Sequence, residues 1–398
     1  MIIKEVRAKK IFNSRNEETI EIRVDSDIGK GIGSAPSGKS TSSKEVKAFP
    51  HGVSEAVNFV NNTLSKELIN FNLEKFNDFK KLENLLKKHD KSEDLNKIGG
   101  NLIIALEFAM LNCFKQPWKF INPEAKQLPR PLGNVIGGGA HVKGGTDFQE
   151  FLLTSFNAND FSKSVDANNL IYKLVKKRLG FFFNKKTDEG AWAPNLTESE
   201  VLNILSEITR AVSKKTDIDV KIGLDVAASN IYKDKKYVYK NKTLTRDEQI
   251  EYITELVEQY HLVYVEDPLE ENDFKGFNEL TKRLKSRCFI CGDDLIATNP
   301  SLLKKHLEDV NAVIVKPNQI GSLIKTKEFV DLAKKHKITT IISHRSGETM
   351  DATISQLAAG FNIPFIKCGI SGPEREIKLE ELKKIEKEIK DENRSSSK

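Results

Sequence analysis

Apolar positions recur with two different periods along the chain, and the change of period divides it. Residues 3 to 12, 19 to 25 and 31 to 36 alternate or run apolar with turn residues between them, which predicts a small antiparallel meander. Helical spacing follows at residues 53–71, 73–89 and 99–115, and the last stretch, containing NLIIALEFAMLNCF, is apolar enough to be buried. Together these predict an N-terminal α+β capping domain over residues 1–125, with the breakers between Pro123 and Pro131 as the linker. From about residue 130 strand and helix alternate, with apolar strands near residues 132, 151, 222, 264, 289, 314, 341 and 366. Segments such as TRDEQIEYITELVEQYH and SLIKTKEFVDLAKKHK have the amphipathic spacing of helices wrapped around a barrel. The eight strands predict a closed, parallel β/α barrel over residues 126–390, followed by a frayed polar tail at 391–398.

The strand-like runs end on charges. Asp225 closes KIGLD, Glu266 closes LVYVE and Asp293 follows CFICG; the next three runs deliver Lys316, then His344 with Arg345, then Lys367. One such residue alone reads as a turn or cap. Six in strand order, each at the same end of a run with no packing use for charge, predict an active site at the barrel mouth. Three carboxylates there make an oxygen-rich seat for a hard divalent cation, facing basic groups.

Composition narrows the function classes. At 398 residues with 38% hydrophobic and 8% aromatic content, the chain can bury a full core. The net charge of +6 is spread over many lysines without an Arg-rich or aromatic-interleaved patch, which argues against nucleic acid and suits a small anionic substrate. No apolar run approaches the roughly 20 residues of a membrane span, and MIIKEVRAKK lacks the features of a signal peptide, so a cytoplasmic location is expected. Four cysteines do not make a disulfide scaffold. Cys288 and Cys291 form C-x-x-C inside a strand-like run, where their odd offset sends them to opposite faces, against a redox or zinc role; Cys113 and Cys368 occupy ordinary places for buried thiols.

The stretches IFNSRNEETIEI, SAPSGKSTS, GNVIGGGAHVKGGTDFQEF, TDEGAWAPNL, IGLDVAAS, VEDPL, GDDL, VKPNQIGSL, SHRSGETMD and KCGISGPER run in order nearly end to end. In content and order they resemble the enolase (phosphopyruvate hydratase) family, and GNVIGGGAH and the short length are more like its archaeal members. The resemblance implies an α/β fold, the enolase-type (β/α)8 barrel with an N-terminal α+β capping domain. It further implies reversible dehydration of 2-phosphoglycerate to phosphoenolpyruvate with two Mg²⁺ per site, and a homodimer or higher homo-oligomer.

Residue by residue, the resemblance makes Asp225, Glu266 and Asp293 ligands of one Mg²⁺ and Ser40 a ligand of the second when its loop closes. Lys316 matches the base, which needs a pKa lowered by burial or by neighbouring cations such as Lys367 and Mg²⁺. Lys367 matches the contact to the substrate carboxylate. Glu189 matches the general acid, with Glu150 sharing a proton with it, and Gln149 matches a substrate contact. Arg345 and Ser346 match the phosphate site, where a guanidinium gives a bidentate clamp. His141, on a Gly-rich loop with freedom to act as a lid, and His344 complete the set. Lys39 and Ser42 replace a small residue and a glycine usual in the family, and Ala191 and Trp192 replace a usual Gly-Phe; altered rates or lid behaviour are expected from these departures, with the chemistry kept. A racemase of the same superfamily would carry Lys-x-Lys on the second strand, where this chain has FQEFLL. A binding role at a cell surface through the terminal Lys398 is the remaining alternative, which the retained acids and bases argue against.

Overall fold

The computed structural model describes residues 1–39, 42–158, 160–180 and 183–396. Strands β1 (Ile3–Phe12), β2 (Glu18–Ser26) and β3 (Lys30–Ser34) pair in that order as an antiparallel sheet. In β2, Ile20, Ile22 and Val24 are buried while Glu21, Arg23 and Asp25 face outward, so the alternation in sequence is the two-faced sheet itself. The inner face lies on helix α1 (Gly100–Leu111), every residue of which is buried. The approach is close: a Cβ on Gly33 would come within 2.3 Å of the Ala105 carbonyl oxygen.

Two predicted helices are broken up. The 53–71 stretch forms Val53–Phe59, a π-helical turn at Val60–Leu64 and one further turn, Ser65–Glu67. The 73–89 stretch yields an α-helix only over Phe79–Leu86, because the Asp78 carboxylate accepts from the Glu74 and Lys75 amides and caps the preceding turn.

The eight barrel strands are β4 (Arg130–Gly137), β5 (Glu150–Ser155), β6 (Val220–Asp225), β7 (Tyr264–Glu266), β8 (Phe289–Gly292), β9 (Ala312–Val315), β10 (Thr339–Ser343) and β11 (Phe365–Gly369). Pairing of β11 with β4 closes the barrel. The prediction of an all-parallel barrel is corrected at β5, which runs antiparallel to both β4 and β6. Residues 138–149 join β4 to β5 with nothing more regular than one 3₁₀ turn, Gly139–His141. Without a crossover helix the chain turns back beside β4 as a hairpin. Glu150 therefore stands at the start of its strand, yet pairs in register with Asp225 at the end of β6, and both reach the same mouth.

Helices α2 (Phe161–Leu179) and α3 (Glu198–Thr216) separate β5 from β6, with the hairpin Phe183–Lys186 and Trp192–Pro194 between them. Helices α4 (Arg246–Tyr260), α5 (Phe274–Leu284), α6 (Leu323–Lys335) and α7 (Thr353–Gly360) follow later strands, and α8 (Pro373–Ser396) ends the described chain. The last helix thus carries on through residues 391–396, where a frayed tail was expected. Apolar side chains including Leu132, Tyr264, Cys291, Ile314 and Phe365 pack together apart from the main core, which instead takes Cys288. The C-x-x-C pair is divided between the two clusters as its spacing predicts, and both thiols are free. No helix among the described residues is long and apolar enough to cross a membrane.

The N-terminal sheet and its loops dock on the barrel mouth. Ser37 and Gly347 exchange backbone hydrogen bonds at 2.8 and 2.9 Å, Ser14 N donates to the Glu348 carbonyl at 2.7 Å and Val46 N to the Gln319 carbonyl at 3.0 Å.

Candidate active site

All the strand-end charges except Glu266 line one cleft at the mouth; Glu266 lies just beneath it, hydrogen-bonded to the lining Lys367. Lys367 Nζ donates to Asp225 Oδ2 at 2.8 Å and to both Glu266 oxygens at 2.8 and 2.9 Å, and stands 3.2 Å from Glu150. Burial works against its charge, but Asp225, Glu150 and Glu266 together hold Lys367 well above the usual lysine range. Asp293 is separate: it pairs with the Lys316 ammonium and accepts from Gln319 Nε2 at 3.1 Å. The three predicted metal carboxylates thus fall in two groups, Asp225 with Glu266 and Asp293 by itself, each paired with one lysine. Burial and the neighbouring Asp225 push the Glu266 carboxyl up to about 8.

For Lys316 the expectation of a lowered pKa is corrected. Burial is the largest single influence and lowers it, but the acids around it, Asp293 in direct contact and Glu266 nearby, together leave it raised. Gln149, predicted to touch substrate, donates to Asp225 Oδ2 at 3.2 Å.

On the opposite wall His141, Glu150 and Glu189 each place an atom within 4.8 Å of the others. Glu189 sits in the turn after Thr187, whose Oγ1 accepts from the amides of Glu189 and Ala191 at 3.3 and 3.2 Å. Gly190 takes φ 80° there, and a Cβ on it would lie 2.1 Å from the Ser371 carbonyl oxygen. The departures at Ala191 and Trp192 sit behind this turn, both buried, with the indole stacked on Tyr172 at 4.6 Å. Glu189 Oε2 accepts from Asn134 at 3.1 Å and faces His344 at 3.5 Å and His141 at 3.7 Å. Burial alone would raise both acids. The histidines turn Glu189 the other way, well below the usual carboxylate range, whereas the Glu189 charge drives Glu150 further up. One proton shared by the pair therefore rests on Glu150. Among the described residues neither ring nitrogen of His344 is hydrogen-bonded, and Glu150 Oε2 and His141 Nδ1 are likewise buried without a hydrogen-bond partner. Unpaired polar atoms concentrated in one cleft suit a polar ligand.

Arg345 and Ser346 follow β10. Arg15 Nη1 donates to Ser346 Oγ at 3.3 Å, and Arg375 donates to the backbone carbonyls of Arg345 and Ser346 at 3.2 and 2.8 Å. Neither arginine is singled out by the strand-end pattern, although both lie in the quoted stretches IFNSRNEE and SGPER. Asp267 and Asp294 were also missed. Asp267 accepts from the amides of Asp293 and Asp294 at 2.9 and 3.0 Å and so fixes the turn that carries Asp293. Their signal was the doubled acid in VEDP and GDDL. Lys39 pairs with Asp188 at 3.3 Å, next to Glu189, and Ser42 Oγ donates to Glu271 at 2.8 Å. Ser40 lies outside the described residues.

Residues 125–397 match the family model "Enolase, C-terminal TIM barrel domain" and residues 3–115 match "Enolase, N-terminal domain". The chain belongs to the enolase family. It is 41% identical to the enolase of Methanosphaera stadtmanae over 98% of its length and 97% of the relative's, and equally to that of Methanothermobacter thermautotrophicus. The enolase of Archaeoglobus fulgidus is 39% identical over 97% of each chain. The likeness to archaeal enolases thus extends over both the capping sheet and the barrel, and the family is one of hydro-lyases.

Proposed function

We propose that the protein catalyses the reversible dehydration of 2-phospho-D-glycerate to phosphoenolpyruvate, with Lys316 as base and Glu189 as acid. The observation that carries this reading is the placement of Lys316 after β9 and the Glu189–Glu150 pair beside β4 and β5, across one barrel mouth from each other.

Removing the proton on the carbon beside a carboxylate adds charge to a group already anionic, so the step needs cations fixed in place. Lys316 Nζ takes that proton, and the electron pair it leaves moves into the carboxylate. Lys367 screens the growing charge. The pair then returns to form the carbon–carbon double bond as the neighbouring C–O bond breaks, and hydroxide leaves as water with a proton that Glu150 holds at rest and Glu189 passes on. Arg345, Ser346 and the nearby Arg15 hold the phosphate.

Asp225, Glu266 and Asp293 are hard oxygen donors whose charges are met by ammonium groups in the structure, a donor set that fits Mg²⁺. Bound there, Mg²⁺ supplies positive charge to the substrate carboxylate and competes with Lys316 for the charge of Asp293. A second Mg²⁺ would be held by Ser40, as the family resemblance implies. The proposed enzyme works as a homodimer or larger homo-oligomer, a state that sedimentation equilibrium reads directly and a monomer would refute.

Phosphoenolpyruvate formation from 2-phosphoglycerate, followed by ultraviolet absorbance, tests the reading. Turnover is expected with Mg²⁺, lost in excess EDTA and restored by added Mg²⁺. A folded, Mg²⁺-loaded protein that forms no phosphoenolpyruvate would overturn it.

A further inference from the structure

Glu45 lies in the segment of the N-terminal domain that crosses onto the barrel mouth, and its carboxylate is almost fully buried there, with 8% of the side chain exposed. It accepts from Arg345 Nη1 at 3.0 Å and Nη2 at 3.1 Å, and from Gln319 Nε2 and the Ser42 amide at 3.3 Å each. A guanidinium has five N–H donors in a planar fork. Both hydrogens of Nη1 are spoken for, one by Glu45 and one by Asn318 Oδ1 at 3.1 Å, and one hydrogen of Nη2 goes to Glu45. Among the described residues no acceptor meets Nε or the second Nη2 hydrogen. Those two point along the other edge of the fork, and Arg345 lines the cleft.

We propose that Glu45 is a positioning residue for the phosphate-binding arginine: it grips the outer edge of Arg345 and leaves the Nε–Nη2 edge aimed at the substrate phosphate. The inference rests on the phosphate role given to Arg345 above. Two physical arguments support it. A guanidinium 3% exposed needs a counter-charge, and a bidentate carboxylate provides one while fixing the plane of the group. A planar fork held on one edge presents the opposite edge in a single orientation, which saves the ordering that a free arginine would undergo on binding. Because Glu45 belongs to the capping domain and Arg345 to the barrel, the hold on phosphate depends on the capping segment being docked. The segment is anchored on both sides of Glu45, by Ser42 on Glu271 and by Val46 on the Gln319 carbonyl.

The test compares parent, Glu45→Gln and Glu45→Asp by three readouts: steady-state kinetics with 2-phosphoglycerate, the Kd of inorganic phosphate by calorimetric titration, and the Kd of Mg²⁺ alone. Glu45→Gln keeps the shape and loses the charge. Its KM and its phosphate Kd are expected to rise roughly tenfold, with kcat changed several-fold less and Mg²⁺ affinity unchanged. Glu45→Asp, which keeps the charge on a shorter arm, should recover part of the loss. If Glu45 merely occupies the phosphate seat, Glu45→Gln will bind phosphate more tightly, and the proposal is overturned; unchanged KM and phosphate Kd overturn it equally. Should Glu45→Gln fail to fold, Glu45→Asp decides: a several-fold rise in phosphate Kd supports the proposal and an unchanged value sinks it. A parent inactive on 2-phosphoglycerate would count against the proposed reaction, while the phosphate titrations would still decide the role of Glu45.

Discussion

Charges at the barrel mouth are matched residue against residue: Lys367 to Asp225 and Glu266, Lys316 to Asp293, Arg345 to Glu45 and Lys39 to Asp188. The last of these pairs is the most exposed, with a third of Lys39 open to solvent, so its effect on stability is expected to stay below about 1 kcal/mol. Its effect on substrate capture is larger, because Lys39 adds a cation to the wall of a cleft meant for a phosphate. Lys39→Ala should raise KM a few-fold at low ionic strength and converge with the parent at high salt, as KM measured across a salt series will show; parallel curves would contradict this. At this scale the sequence was readable where a charge ends an apolar run, as at Asp225, Lys316 and Lys367, because burial leaves such a charge no ordinary use. Glu45, Arg15 and Asp267 stand in polar stretches or beside another acid, where a charge is unremarkable until the fold shows what it touches. The pairing of Lys316 with Asp293 was equally out of reach, because it is set by how the two strand ends meet at the mouth.

Among the elements, α1 and α6 meet at a buried acid. Glu107 of α1 has no exposed surface and accepts from the Leu323 amide, at the start of α6, at 2.7 Å. Burial, with the nearby Glu83, raises its carboxyl well above the usual range. A carboxyl raised on folding favours the folded state most below its unfolded pKa near 4.3, and that contribution is lost as pH climbs toward the folded value. Glu107→Gln cannot ionise and should therefore melt at a higher temperature than the parent at about pH 8, with the gap narrowing toward about pH 5. Thermal melts across that range check it, and a gap independent of pH would count against it. The apolar periodicity located all eight barrel strands, since each is a run too apolar to lie at the surface. The direction of β5 was hidden, because direction is set by the connection, and the loop at 138–149 offers only glycine-rich sequence to read. Helix lengths in the capping domain were overread for a similar reason: a local cap at Asp78 stops what periodicity would continue.

Over the whole molecule, barrel closure and docking of the capping domain bring residues from distant parts of the chain to one cleft. The β11–β4 pairing sets Lys367 beside the carboxylates, and the reversed β5 sets Glu150 across from Lys316. The central claim is that a base on one wall and an acid on the other perform separate halves of one reaction. Hydrogen exchange at the carbon beside the substrate carboxylate, followed in D₂O by magnetic resonance alongside phosphoenolpyruvate formation, tests it with Lys316→Ala and Glu189→Gln. Lys316→Ala should lose both exchange and turnover, each by about 100-fold or more, whereas Glu189→Gln should lose turnover and keep exchange. Exchange that survives in Lys316→Ala, or disappears together with turnover in Glu189→Gln, would contradict the division of labour.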